Sequence, residues 1–132
     1  MALLRAAARV LTGAPFILFG YEAASAPGPR VGMAEPLLSQ VRGVLPIPVD
    51  DEAVVRANGA AQVVGGALIA TGVAPRVGAA VVAGSLIPTT AAGHAYWEMD
   101  DAMARNAHRT HFYKNIAMIG GALAVAAAAG RK

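Results

Sequence analysis

Residues 54–92 decide how the rest of the chain is read. They run VVRANGAAQVVGGALIATGVA over Val54 to Ala74, then Pro75-Arg76, then VGAAVVAGSLIPTTAA over Val77 to Ala92. A helix that spans a bilayer needs about 17–25 mostly apolar residues. The first stretch has that length and the second approaches it. Only Val73-Ala74-Pro75-Arg76 joins them, so the pair predicts a tight helical hairpin.

Two further apolar stretches flank this hairpin, Leu3 to Ala26 and Phe112 to Ala129. The four together predict an all-α, four-helix transmembrane bundle forming a single domain over residues 1–132. Composition agrees. Hydrophobic residues make up 56% of the chain without counting its 15 glycines, and charged residues only 14%. A soluble domain of this size has roughly a quarter of its residues charged. The totals therefore weigh against a soluble alanine-rich bundle, the competing fold. Small side chains suit helices that approach closely in lipid, where packing drives association.

Other function classes fall away on similar grounds. The net charge is +3, yet the basic residues are scattered, without the patch or aromatic interleaving that nucleic acid requires. Cysteine is absent, which removes thiol redox chemistry, disulfides and cysteine-based metal sites. There is no nucleophile elbow, no phosphate loop and no carboxylate pair with a neighbouring base. No catalytic set is expected.

Between the first two spans, Pro27, Pro29, Pro36, Pro46 and Pro48 oppose a long regular helix, while Leu37, Leu38, Val41, Val44 and Leu45 give an apolar side. This predicts a short amphipathic helix at the membrane surface, lying on lipid or docking a neighbour through Leu37, Leu38 and Val41. Asp50-Asp51-Glu52 supplies a cap and first-turn acids for the second span. Between the last two spans, Asp100-Asp101 resembles another helix cap. Asp101 and Arg105 stand at the i,i+4 spacing of a solvated helical turn, and Tyr96-Trp97 marks a water interface.

Charge also orients the bundle. With four spans, all eight acids (Glu22, Glu35, Asp50, Asp51, Glu52, Glu98, Asp100 and Asp101) fall on one side. The other side holds Arg5, Arg9, Arg76, Arg131 and Lys132 and no acid. Short Lys/Arg-rich segments stay cytoplasmic, which places both termini inside. Arg5, Arg9 and Ala24-Ser25-Ala26 also resemble a secretory signal, but Thr12, Gly13 and Pro15 interrupt its apolar core.

Polar residues near membrane depth turn toward partners or a cavity, because lipid offers them none. In the four-span arrangement Glu22, Asn58, Gln62, Thr89, Thr90, His94, His108, His111, Lys114 and Asn115 all fall in the outer half. Asn58 and Gln62 are one turn apart; His108, His111 and Asn115 follow i, i+3, i+7 spacing. A shared polar pocket is the expectation. It could hold a quinone or lipid head group, with the histidines as proton carriers and Lys114 and Asn115 as donors. A metal held by His94, Glu98, His108 and His111 is a weaker alternative, since His-x-x-His alone is a poor motif. The bland alternative is that these groups cap helix ends, snorkel and bond one another. Small-xxx-small pairs (Ala61/Gly65, Gly66/Ala70, Ala80/Gly84, Ala117/Gly121) would serve internal packing or contact with a second copy.

Several of these runs carry a family resemblance. Asn58-Gly59-Ala60-Ala61-Gln62-Val63-Val64-Gly65-Gly66, Ala70-Thr71-Gly72 before Pro75-Arg76, and Ala83 to Thr90 continuing through Gly93-His94 to Trp97-Glu98 resemble the DoxX family of small bacterial membrane proteins. His111-Phe112, Lys114-Asn115 and Gly120-Gly121 fit its actinobacterial branch. The resemblance implies a four-helix transmembrane fold in the plasma membrane and an accessory, non-catalytic role in a quinone-linked redox or respiratory complex. Its partners would then be membrane lipids and larger complex subunits. A lipid- or quinone-binding protein, or a small transporter working through the outer-half pocket, is the alternative. The family brings no catalytic residues to transfer, and without cysteine this chain cannot share the thiol chemistry of some relatives.

Overall fold

The computed structural model describes residues 1–130; Arg131 and Lys132, counted above on the basic side, lie outside the described residues. Five α-helices follow one another: α1 (Ala2–Ser25), α2 (Arg30–Arg42), α3 (Asp51–Thr71), α4 (Pro75–Gly93) and α5 (Ala102–Ala128). A short 3₁₀ turn, Tyr96–Glu98, precedes α5. Among the described residues there is no strand.

Three segments, Ala2–Ser25, Asp51–Thr71 and Pro75–Glu98, are long and apolar enough to cross a membrane. In the most apolar part of α1 only 11% of residues are buried in the protein. Leu3, Leu4, Leu11 and Leu18 are exposed. Apolar surface so disposed suits lipid rather than water. α5 is the longest helix, about 40 Å at 1.5 Å per residue. Its first half carries Arg105, His108, Arg109, His111, Lys114 and Asn115, which holds it outside the hydropathy of the other three. The solvated helical turn expected around Arg105 and Arg109 is present and exposed, and it runs without a break into the apolar stretch from Phe112, so that one continuous helix starts at Ala102.

Helix ends follow local chemistry. Asp50 accepts from Ala53 N at 2.7 Å and caps α3; Asp101 accepts from Ala104 N at 2.7 Å and caps α5. The cap removes Asp101 from the expected pairing with Arg105, whose Nε donates to the Met99 carbonyl at 2.8 Å. α3 ends at Gly72, whose φ of 73° is a left-handed conformation that glycine adopts without penalty. Pro75 opens α4 at a position where its missing N–H has no intrahelical partner to lose. Pro15, Pro36 and Pro88 lie inside α1, α2 and α4 without ending them.

α1 packs along α3, α3 against α4, and α4 against α5, with α2 resting on α3 and α4. The α1–α3 seam is made by glycine. A side chain at Gly20 would meet the Gly59 carbonyl oxygen at 2.6 Å, and one at Gly66 the Gly13 carbonyl oxygen at 2.6 Å. Gly13 faces Gly66 and Gly20 faces Gly59, so the helices run antiparallel with their backbones nearly touching. Gly78 of α4 approaches Gly65 of α3 in the same way. Two of the four small-residue pairs thus serve internal packing through Gly65 and Gly66, and Gly121 lies in ordinary contact range of Thr12, whereas Gly84 faces open space. Phe16, Ile69, Ala79, Val82, Leu86, Ala122 and Val125 complete the core. At the acidic end, Arg56 donates to the Ala24 and Ser25 carbonyls and binds Glu52, and Arg42 pairs with Asp51, tying α1 and α2 to the start of α3.

Candidate functional site

A cavity of about 430 Å³ lies in the half of the bundle remote from the chain ends. Its polar wall collects Asn58 and Gln62 of α3, Thr89 and His94 from the end of α4, and His111, Lys114 and Asn115 of α5. Seven of the ten residues singled out from sequence therefore line one space. Thr90 and His108 stand directly behind it. Glu22 does not belong: it is exposed, and its carboxylate pairs with Arg30 at 3.1 Å. Its link to the site is indirect, because Arg30 itself lines the cavity.

Two hydrogen-bonded chains shape the wall. Ser85 Oγ donates to Asn58 Oδ1 at 2.8 Å, Asn58 Nδ2 donates to Thr89 Oγ1 at 3.0 Å, and Thr89 Oγ1 donates back to the Ser85 carbonyl at 2.9 Å. Across α4, Asn115 Nδ2 donates to Thr90 Oγ1 at 3.0 Å, and Thr90 Oγ1 donates to the Leu86 carbonyl at 2.6 Å. These threonines bond their own helix one turn back, so their hydroxyl oxygens are left as acceptors for the neighbouring helix. Buried amides settled in this way hold α3, α4 and α5 in register.

The histidines form a second layer. His108 Nδ1 lies 2.9 Å from the Gly93 carbonyl oxygen and 3.2 Å from His94 Nδ1. A carbonyl only accepts, so the hydrogen belongs to His108 Nδ1, and His94 Nδ1 is an acceptor. His94 then carries its proton on Nε2. Its ring stacks on His111 with centroids 5.2 Å apart and planes at 19°. Among the described residues no group of three or more metal-ligating side chains converges, so the rings pack on one another rather than aiming lone pairs at one point.

Two groups stand apart from these chains. Gln62 is only 7% exposed, lines the cavity, and makes no side-chain hydrogen bond among the described residues. Lys114 lies 5.6 Å from the centre of the Phe19 ring, a cation–π approach that leaves its three N–H donors uncommitted. Phe16, Leu86 and Met118 supply an apolar floor. The space thus joins an apolar bed to a few uncommitted donors, the combination typical of small-molecule sites of about 300–1,000 Å³.

Residues 4–95, well over half of the chain, match the family model described as DoxX. The chain belongs to the DoxX family. No curated protein and no solved structure matches it. In this DoxX protein the matched region ends one residue after His94, so the α5 side of the cavity, from His108 to Asn115, lies beyond the match.

Sequence reasoning missed the roof of the cavity. Arg30, Met33, Ala34, Leu37 and Leu38 of α2 cover it, and Leu38 is buried. The apolar side of the Pro27–Pro48 segment, expected to face lipid or a neighbour, is turned in part onto the chain's own cavity. Arg30 and Glu22 at eight residues' separation, bridging α1 and α2, were the available signal. Phe16 and Phe19 were hidden within the uniform apolarity of α1.

Proposed function

We propose that this DoxX-family protein crosses the plasma membrane four times with both termini in the cytoplasm, and binds the polar head group of a lipid-soluble molecule in the cavity under α2. A quinone is the best fit in chemistry. Its ring suits the bed of Phe16, Leu86 and Met118, and its carbonyl oxygens accept from the Gln62 amide, the Lys114 ammonium or His94 Nε2–H. The observation that carries the reading is Gln62. Its amide opens on the cavity without a protein partner, and a donor presented there beside an apolar bed suits an acceptor that enters the space. α5 counts as the fourth span because residues 116–128 carry no polar or charged side chain and the helix packs along α4.

The test is equilibrium dialysis of a short-chain quinone against the purified protein in detergent. Saturable binding, weakened about tenfold by Gln62→Leu (about 1.4 kcal/mol), is expected. Binding that is unsaturable, or unchanged in the variant, overturns the reading.

The accessory-subunit role in a redox complex is the second reading. It is favoured by the outer face of α5, where Ile116 and Leu123 are exposed and Gly120 leaves open space on a helix held chiefly by α4. Stoichiometric redox subunits travelling with the chain through gentle-detergent purification from native membranes would support it, and a chain that emerges alone would remove it.

A further inference from the structure

A second cavity opens at the opposite end of the bundle, where the sequence places no acid. It measures about 640 Å³ and lies between the first turns of α1, the α3–α4 turn and the last turns of α5. Arg5, Arg9 and Arg76 line it, and none of its lining residues is acidic. From this cleft we infer that the protein carries a binding site for the phosphate group of an anionic phospholipid, held by Arg9 and Arg76.

Arg9 is the centre of the argument. Its Nε is buried and makes no hydrogen bond among the described residues. Arginine cannot shed its charge, so a guanidinium with one nitrogen buried and unpaired is costly to hold there unless an acceptor meets its terminal nitrogens. A charge placed only to orient the chain in the membrane needs no such position; it functions in water at the surface. Arg5, one turn closer to the chain end, is exposed, while Arg9 is drawn in against Gly72. A side chain at Gly72 would stand 2.7 Å from Arg9 Cζ and 3.0 Å from its Nε, so the left-handed glycine that ends α3 also makes the room for the guanidinium. Arg76, on the first turn of α4, is exposed. It donates from Nε to the Ala126 carbonyl at 3.4 Å, which fastens its stem to α5. Among the described residues neither Arg9 nor Arg76 pairs with a carboxylate.

The ligand follows from the lining. Guanidinium groups present forked donors that match phosphate oxygens. The remaining walls are apolar, among them Ala8, Val73, Val77 and Val125. A free phosphate would leave those walls wet. A phospholipid diester covers them with its glycerol and first methylenes while its oxygens reach the arginines. Basic pockets between transmembrane helices take anionic lipid head groups in this way. The site is separate from the cavity under α2 and shares no lining residue with it.

The experiment uses the full chain, purified and delipidated in mild detergent, with phosphatidylglycerol, phosphatidylcholine or inorganic phosphate added in turn. Native mass spectrometry reads retained lipid and a thermal melt reads stabilisation. Retention of phosphatidylglycerol, a melting point raised by several degrees, and at least fivefold lower retention in Arg9→Gln and in Arg76→Gln are expected. Arg76 is exposed, so its variant decides the matter if Arg9→Gln fails to fold. Equal retention of phosphatidylcholine, or full retention of phosphatidylglycerol by the variants, overturns the site. Inorganic phosphate that raises the melting point as much as phosphatidylglycerol overturns the lipid assignment. Quinone dialysis on the same variants stays at the wild-type value, which separates this site from the one under α2.

Discussion

The α1–α3 seam and the α4–α5 seam join helices by opposite means. Along α1 and α3 nothing stands between the backbones: Gly13 and Gly20 meet Gly66 and Gly59, and dispersion between main-chain atoms is the adhesive. Along α4 and α5 the helices are held by reaching side chains, Thr90 to Asn115 and His94 to His108 and His111. Contact at the backbone leaves no volume, and contact through side chains leaves some. The cavity sits on the second side for that reason. One seam is closed along the backbones and the other leaves room between its side chains.

That contrast can be broken most severely at the glycine seam. Gly20→Leu forces a side chain onto the Gly59 carbonyl, and backbone cannot yield as a flexible side chain can. A loss of about 3 kcal/mol or more is expected, read as failure to fold or a collapsed melting point in detergent. A variant that melts with the wild type would show the seam to be loose. On the other side, Asn115→Ala strands the Thr90 oxygen and removes one buried bond, for a loss of about 1–2 kcal/mol by the same melt. Gln62→Leu should move in the reverse direction. It removes a buried amide without a protein partner, so stability stays level or rises while quinone retention falls. A destabilised Gln62→Leu protein would mean the amide is structural and the cavity has no claim on it. The smallest effect belongs to Gly84→Ala, which meets open space; a gain of about 0.5–1 kcal/mol from helix propensity is expected, and a loss would reveal a contact on that face.

How far the sequence carried these distinctions depended on whether a residue announced its own environment. Asp50 and Asp101 cap helices because a short acid before an apolar run has few other uses, and both were legible. The cavity wall was legible for a related reason: Asn58, Gln62, His94 and Asn115 are polar in apolar surroundings, and lipid leaves them only each other. The membrane class and the hairpin at Pro75 were equally open to reading. The glycine seam was not. The i,i+4 pair Gly66 and Ala70 does form part of it, since together they receive Gly13, but the meeting of Gly20 with Gly59 seven residues further along each helix had no such signal. Gly13 in isolation resembled an interruption. A glycine says nothing about its partner, and the seam exists only once two helices are aligned. The fate of α2 was hidden likewise, since an apolar side specifies burial but not against what. Arg9 was read for its charge alone; its buried Nε arises from Gly72, sixty-three residues away in sequence.

The central claim is that the space under α2 is occupied by a lipid-soluble head group, and photoaffinity labelling tests it most directly. An azido-quinone would be irradiated with the protein in native membranes and the attachment sites mapped by mass spectrometry. The account predicts adducts on α2 near Met33 and Leu37 and on α5 near Lys114 and Met118, suppressed by excess unlabelled quinone. Adducts spread over the outer faces of α1 and α3, at Leu11, Leu18 and Val64, and indifferent to competitor would contradict it.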